Sequence, residues 1–380
     1  MEVFPHIQIP GFLVLEHDDF LFHQMTLGKG GISERLQTVD KLQFNSYIEF
    51  YRSNMTLHRK FPQIVFNYVQ NSNVNAFARS KDPQFAIIGI YEGGYHILRD
   101  LFCRMLSYNS LFATIGDQAK EIYDSPSLRN FYTNIEDLVS YGNLDFPDTY
   151  EFLMPKDKIR QTYSNLLFQI AREFVFEHEL SHILNGHTLF GNDAYGQDFL
   201  SVIPDGKDRI PKITRLTLEM DADCTGFNRC LNRAIYMFDN PRSFSEDYRQ
   251  FFLTIEDAIS NVTAAVYAYF KLFGDGQYQA ARALEIEHSP PKVRQLILLS
   301  TAEEFIKKNY SHLNLDLSNI RRNNLAKVEE VEKAYKVITG NLVNREAYAK
   351  ENYTHHPHRD MLLAHWAEIR PEIMKYSYRE

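Results

Sequence analysis

The chain has 380 residues, of which 44% are hydrophobic and 24% are charged, and its formal net charge is −8. These fractions are ordinary for a folded globular protein, and the length allows one large core or two modest domains. The negative balance, without a long basic run, argues against a nucleic-acid partner. Three cysteines, Cys103, Cys224 and Cys230, are too few for a disulfide framework, so we expect reduced thiols.

We expect neither a targeting leader nor a membrane span. The segment 1–10 lacks a basic region and a continuous apolar stretch. The most apolar later stretch, 258–273, contains Asn261 and Lys271 and is shorter than the ~18 apolar residues that a span requires. These features predict a cytoplasmic protein that does not bind a membrane.

Taken in chain order, the elements predict an α+β fold that is mainly α-helical. Proline and glycine divide 1–40 into short strands and turns, and 41–70 has a helical pattern. The apolar run 85–90 is of strand type, and apolar residues recur at helical spacing over 93–107.

The segment 109–160 is rich in turn residues and interrupts this order. It is either a lid or exosite over a cleft, or a decoration without a role in function. Helices are predicted again within 247–273 and 300–350. The chain thus divides into an N-terminal extension (1–70), a central domain that holds the insert (71–300) and a C-terminal helical region (301–380).

Residues 178–182 read His-Glu-Leu-Ser-His, which is an HExxH motif. On a helix, positions i and i+4 share one face, so His178 and His182 can direct their imidazoles at one metal ion. Glu179 can then reach a water on that ion, as zinc peptidases require. A solvated polar face is the alternative. Apolar residues flank the motif on both sides, however, and they predict a buried helix whose polar groups need partners.

A zinc ion held by two histidines needs a third protein ligand. The extended motif HExxHxxGxxH is absent, because Asn185 and Thr188 occupy the positions of its glycine and its third histidine. His187 lies one residue too early, just past the expected end of the helix at Gly186. His187 is therefore not our candidate for the third ligand.

Glu219 and Asp223 form a second pair at i and i+4, on a helix predicted around 215–227. Glu219 can supply the third ligand, and Asp223 can accept a hydrogen bond from the free ring nitrogen of a ligand histidine. An acidic solvated face that includes Asp221 is the alternative. Because the pair lies downstream of HExxH, it can supply both the third ligand and the acceptor for a ligand histidine, which the motif itself lacks.

HExxH followed by Glu219, Ala222 and Asp223 resembles the gluzincin metallopeptidases, and among them the CaaX prenyl endopeptidases and their bacterial heat-shock relatives. The stretch Asn-Ala-Phe-Ala at 75–78 is similar to the one that this family carries before its active-site edge strand. The segment 288–294 is similar to the family's His-Pro-Pro-x-x-x-Arg. Four segments thus follow the family's order.

The chain also departs from this family. Ser289 replaces the usual proline, the insert separates the edge strand from the HExxH helix, and the membrane-spanning helices of many members are missing. The resemblance therefore concerns fold and chemistry more than substrate. It implies a zincin-like core with one Zn²⁺ per chain, held by His178, His182 and Glu219, with Glu179 as the general base.

The resemblance further implies that His288 donates a hydrogen bond to the oxyanion and that Arg294 orients its loop by ion pairing. A tyrosine from the insert is the alternative donor. The strand 85–90 would be the edge strand, to which substrate adds as an antiparallel strand. The expected substrate contacts are Asn75, Ala76, Phe77, Ala86, Ile87 and Ile88.

We therefore expect a zinc-dependent endopeptidase that cuts a protein or peptide substrate, with narrow specificity or regulation, as in bacterial defence or regulatory proteolysis. The alternative is a non-catalytic binding or regulatory protein on the same fold. Glu179 discriminates between them, because a purely structural site has no use for a carboxylate that is not a ligand.

Overall fold

A computed structural model describes most of the chain. The described residues are 34–69, 74–121, 153–197, 199–201, 209–243, 245–273, 289–339 and 357–379. His288, the insert residues 122–152 and the N-terminal residues 1–33 lie outside the described residues, and so do the predictions made for them.

One mixed sheet lies beside the helices. Its strands are β1 (Gln63–Val69), β2 (Ala76–Asp82), β3 (Phe85–Tyr91) and β4 (Phe199–Ser201). They are arranged in the order β1-β3-β2-β4, with β1 parallel to β3 and the other neighbours antiparallel. Buried side chains alternate along β2 and β3, as expected for a sheet with one face in the core.

The predicted strand at 85–90 is present as β3, but the prediction that it is an edge strand is wrong. β3 is paired with β1 on one side and with β2 on the other, so its backbone groups are already used. Asp82 accepts hydrogen bonds from the backbone N–H groups of Gln84 and Phe85 in a tight turn, which folds 76–82 back onto β3. The Asn-Ala-Phe-Ala stretch therefore leads into a strand of its own, β2, which lies between β3 and β4.

Helices make up most of the fold, so its mainly α-helical α+β class is as predicted. Within the described residues, no helix combines the length and apolar character needed to cross a membrane. The helices are α1 (Glu34–Asn54), α2 (Glu92–Ser107), α3 (Lys158–Leu184), α4 (His187–Tyr195), α5 (Lys212–Asp239), α6 (Glu246–Arg249), α7 (Ile255–Lys271), α8 (Pro291–Asn309), α9 (Leu317–Thr339) and α10 (Pro357–Ile373).

Two of the helix predictions need correction. The helix expected over 41–70 begins at Glu34, within the segment predicted as strands and turns, and ends at Asn54, because the alternating buried residues of 63–69 form β1 instead. The helix expected over 247–273 is two helices, because Thr254 and Asp257 form a capping box that starts α7 anew. The helix expected over 93–107 is confirmed as α2.

Helix α3 runs through the centre of the core and packs against α2, α5 and α7. It begins where the Asp157 side chain accepts hydrogen bonds from two backbone N–H groups, and Gly186 follows its end with a φ of 85°. Every residue from Tyr163 to Leu184 is buried, as the apolar flanks of the HExxH motif predicted.

Helices α3 and α5 approach each other closely at Gly226. A Cβ atom at Gly226 would lie 3.0 Å from the backbone nitrogen of His178. Glycine at this position lets the two backbones come together without a side chain between them. Asp223 and Glu219, one and two turns earlier on α5, are thereby brought to the HExxH face of α3.

A buried ionic network joins α1, α3 and α5 just before the HExxH motif. Glu177 accepts hydrogen bonds from the Tyr51 hydroxyl at 2.9 Å and from Arg229 at 3.1 Å, and it also pairs with Arg233. Arg233 lies 3.7 Å from Glu173, one turn earlier on α3. We call this the Glu177 network.

Candidate metal centre

Three buried side chains converge between α3 and α5. The Nε2 atoms of His178 and His182 lie 3.1 Å apart. His178 Nε2 lies 3.2 Å from Glu219 Oε2, and His182 Nε2 lies 3.6 Å from Glu219 Oε1. Their ligand atoms all lie within 4.8 Å of one another, close enough to bind one metal ion.

These separations fit tetrahedral coordination. Two ligands at ~2.1 Å from an ion at the tetrahedral angle are about 3.4 Å apart, and the three observed separations bracket that value. Burial opposes ionisation of Glu219, but the two histidines hold its pKa well below the usual range. Glu219 is therefore an anionic ligand, and the candidate set is two imidazoles and one carboxylate.

Glu179 is fully buried beside these ligands. Neither of its carboxylate oxygens has a hydrogen-bond partner among the described residues. Burial raises the pKa of Glu179 to about 8, with Glu219 and Asp223 reinforcing the shift and His178 opposing it. An unsatisfied buried polar group costs on the order of 1–3 kcal/mol or more, so its presence points to a function.

The free ring nitrogen of His178 contacts Asp223. Nδ1 of His178 lies 3.0 Å from Asp223 Oδ1. Arg294, on α8, donates two hydrogen bonds to the same carboxylate, at 2.7 and 2.8 Å, and its guanidinium lies 3.7 Å from the centre of the Phe270 ring. Burial opposes the effect, but Arg294 and His178 lower the pKa of Asp223. A charged aspartate therefore fixes the orientation of the His178 ring.

The free ring nitrogen of His182 contacts another histidine. Nδ1 of His182 lies 3.0 Å from Nδ1 of His187, whose Nε2 lies 3.1 Å from Asp221 Oδ2. If His182 binds a metal through Nε2, its Nδ1–H can donate to His187, and His187 Nε2–H can then donate to Asp221. Asn185 donates to the same oxygen of Asp221.

Sequence reasoning excluded His187 as a ligand but found no role for it or for Asp221. The structure places His187 at the first position of α4, fully buried behind His182. The only sequence signal was spacing: His187 follows the motif by five residues, and Asp221 is two residues after Glu219. Neither spacing predicts a contact between two separate helices.

Tyr269 is a third residue that sequence reasoning missed. It is buried on α7. Burial raises the pKa of its hydroxyl far above the usual value; Arg294 opposes the shift, and Glu179, Asp223 and Glu219 add to it. These interactions put Tyr269 within electrostatic reach of the centre, with a hydroxyl that keeps its proton.

Five of the six predicted substrate contacts lie on β2 and β3, and the sixth, Asn75, comes just before β2. Asn75 shares a small cavity with Val175 and Tyr269, near the HExxH turn of α3. Phe77 and Ile87 are half-buried. Three others, Ala76, Ala86 and Ile88, are fully buried and point into the core.

The edge of β2 that faces away from β3 is already hydrogen-bonded over the residues that follow Asn75. β4 pairs with Phe77, Ala78 and Arg79, and the Asn192 side chain donates a hydrogen bond to the Lys81 carbonyl. A substrate strand could therefore pair with this part of β2 only by replacing β4.

The sequence and the fold were also compared with known proteins. No protein-family model matches the chain, and no curated protein or solved structure matches it. Its function is therefore inferred from the geometry and electrostatics of the centre.

Proposed function

We propose that the protein is a zinc-dependent endopeptidase that hydrolyses a peptide bond of a protein or peptide substrate. The observation that carries the proposal is Glu179, a fully buried carboxylate without a hydrogen-bond partner in the described part of the chain, next to a triad of metal-ligating side chains. Two histidines and a glutamate are a ligand set of zinc hydrolases, in which a water fills the fourth position.

When bound, zinc would lower the pKa of that water and polarise the scissile carbonyl. Glu179 would accept the proton of the attacking water and later deliver it to the leaving amine. In the metal-free protein, burial raises the pKa of Glu179 to about 8, so its surroundings favour the protonated form that must exist between the two steps. His178, His182 and Glu219 would hold the ion, and the buried surroundings exclude bulk water from the proton transfer.

A hydrogen-bond donor for the developing oxyanion is also required. Tyr269 is supported by its electrostatic interactions with the centre and by its retained proton. His288, the donor implied by the resemblance, lies outside the described residues and remains the alternative. Narrow specificity, regulation and a cytoplasmic location stay predictions from the sequence.

A second candidate is a non-catalytic protein in which the metal only ties α3 to α5. The contacts of Asp223 and His187 with the two histidines are compatible with that function as well. The unsatisfied carboxylate of Glu179 is not, because it adds an energetic cost without holding a ligand.

Metal analysis combined with a cleavage assay on cell lysate tests the proposal. We expect Glu179→Gln to keep one zinc per chain and to lose cleavage by ~100-fold or more. His182→Ala should lose both zinc and cleavage, while the same Glu-to-Gln change at exposed Glu246 should alter neither. Wild-type protein that binds zinc yet cleaves nothing would favour the non-catalytic candidate, and a Glu179→Gln variant that still cleaves would exclude Glu179 as the general base.

Tyr269→Phe separates the two oxyanion donors. If Tyr269 is the donor, we expect kcat to fall by ~100-fold while zinc content and KM stay near the wild-type values, because the lost hydrogen bond is made only in the transition state. An unchanged kcat would exclude Tyr269 and leave His288 as the donor to test.

A further inference from the structure

A large cavity lies beside the metal centre and has no part in the proposed hydrolysis. Its volume is about 960 Å³, and its walls come from α1, α5, α8, α10 and the residues after α10. Small-molecule sites are typically ~300–1,000 Å³, so the cavity has the size of such a site. Its charged lining comprises five cationic side chains, Arg229, Arg233, Lys308, Arg370 and Arg379, against two acidic ones, Asp221 and Glu304.

Part of this positive charge is already neutralised. Arg229 and Arg233 belong to the Glu177 network, whose carboxylates lie behind them in the core. On the acidic side, Glu304 is paired with Lys307, and Asp221 contacts His187 and Asn185. The two acids thus have partners of their own.

Three of the five cations, Arg379, Arg370 and Lys308, form no ion pair with any described residue. Of these three, Arg379 is half-buried and the other two are exposed. Burial lowers the pKa of Arg379, and Arg229 and Arg370 lower it further, while Asp221 opposes the shift. The guanidinium groups of Arg229 and Arg370 are thus each close enough to repel that of Arg379, which has Asp221 as its acidic neighbour, and an anion beside Arg379 would relieve that repulsion.

Aromatic side chains complete the lining. Phe50, Tyr51 and Trp366 contribute to the same walls. A guanidinium binds the oxygens of a phosphate through two parallel hydrogen bonds, and aromatic faces pack against planar rings. The cavity is several times larger than a phosphate ion, whose share of space is comparable to a few waters at ~30 Å³ each.

We propose that this cavity is a binding site for a small organic phosphate that carries a planar ring, with Arg379 and Arg370 as its phosphate ligands. The ring would lie towards Trp366 and Phe50. Because Asp221 lines the cavity and contacts His187, the ligand would sit within a few side chains of the metal ligand His182.

Calorimetric titration of the full chain with adenosine 5′-monophosphate and with inorganic phosphate tests the site. We expect the nucleotide to bind with a Kd tighter than ~1 mM and more tightly than phosphate alone. Arg379→Gln and Arg370→Gln should each weaken nucleotide binding about tenfold or more. Arg321→Gln, at an exposed arginine that is paired with Glu303 and lies outside the lining, is the matched control and should bind as the wild type does.

The proposal is overturned if the nucleotide does not bind at millimolar concentration, if it binds no better than phosphate, or if the two cavity variants behave like the control. Arg370 is exposed, so its variant stays informative if Arg379→Gln fails to fold. The titration does not involve cleavage. It can succeed in a Glu179→Gln variant even if the peptidase proposal fails.

Discussion

The two ligand histidines come from one turn of one helix, yet their surroundings differ. The second nitrogen of His178 meets a charged aspartate that an arginine holds with two hydrogen bonds. The second nitrogen of His182 meets an imidazole, that of His187, and a carboxylate, that of Asp221, contacts the far nitrogen of His187. Burial favours the neutral form of both rings, and it lowers the pKa of His182 to about 4. It acts on His178 as well, but Asp223 and Glu219 raise the pKa of that ring to about 10.

The difference shows that the helix positions the ligands, while the neighbouring helices decide their charge. Without metal, His178 keeps a proton that an incoming ion must displace, and His182 is already in its ligating form. The Asp223–Arg294 contact should therefore matter more to metal binding than the His187–Asp221 contact. The following variants test this difference, from the largest expected effect to the smallest.

Asp223→Asn should have the largest effect. It removes the charge that orients His178 and leaves the buried Arg294 guanidinium without an ionic partner. We expect a 10- to 100-fold loss of zinc affinity and a loss of ~3–5 kcal/mol in the free energy of unfolding. Competition with a chelator measures the first and urea unfolding the second. Asp360→Asn, at an exposed aspartate on α10, serves as the control.

Gly226→Ala should come next. The added methyl group would lie 3.0 Å from the backbone nitrogen of His178, so α3 and α5 would have to move apart slightly, and we expect ~1–3 kcal/mol of destabilisation. Because the contact is made at His178, zinc affinity should fall together with stability. Unchanged thermal unfolding would show that the two backbones are farther apart than described.

His187→Leu should have a smaller effect, about a tenfold loss of zinc affinity, since it removes the neighbour that orients His182. His187→Gln retains a hydrogen-bond acceptor and should recover part of the loss. His365→Leu, at a half-buried histidine on α10, is the control. If His187→Leu weakens zinc binding more than Asp223→Asn does, the proposed order of the two contacts is wrong.

The pH dependence of the metal-free protein should show opposite behaviour of the two histidines. The stabilising contribution of His178 is full below its unfolded pKa of ~6.5 and is lost as pH rises towards 10. That of His182 is full above ~6.5 and is lost as pH falls towards 4. Each limb should have a slope of about 1.4 kcal/mol per pH unit for one proton. Nitrogen NMR of the imidazoles can assign the limbs, and titration of both rings near 6.5 would contradict this account.

The metal ligands could be found from the sequence because their spacing is local. His178 with His182, and Glu219 with Asp223, each lie one helical turn apart, and periodicity alone places each pair on one face. The contacts of Asp223 with Arg294 and of His187 with Asp221 join residues from different helices, so no local pattern reports them. The position of β3 inside the sheet likewise depends on pairing with β1, which a strand pattern cannot reveal.

The Glu177 network has a consequence for the way in which the metal centre is built. Glu173 and Glu177 lie on α3 one turn apart, facing two arginines of α5. Turning α3 by one residue would move both carboxylates by about 100° and leave buried charges without partners, at several kcal/mol. The network thus fixes the rotation of α3 about its own axis. It selects the one orientation of α3 in which the HExxH face meets Glu219, before any ion has arrived.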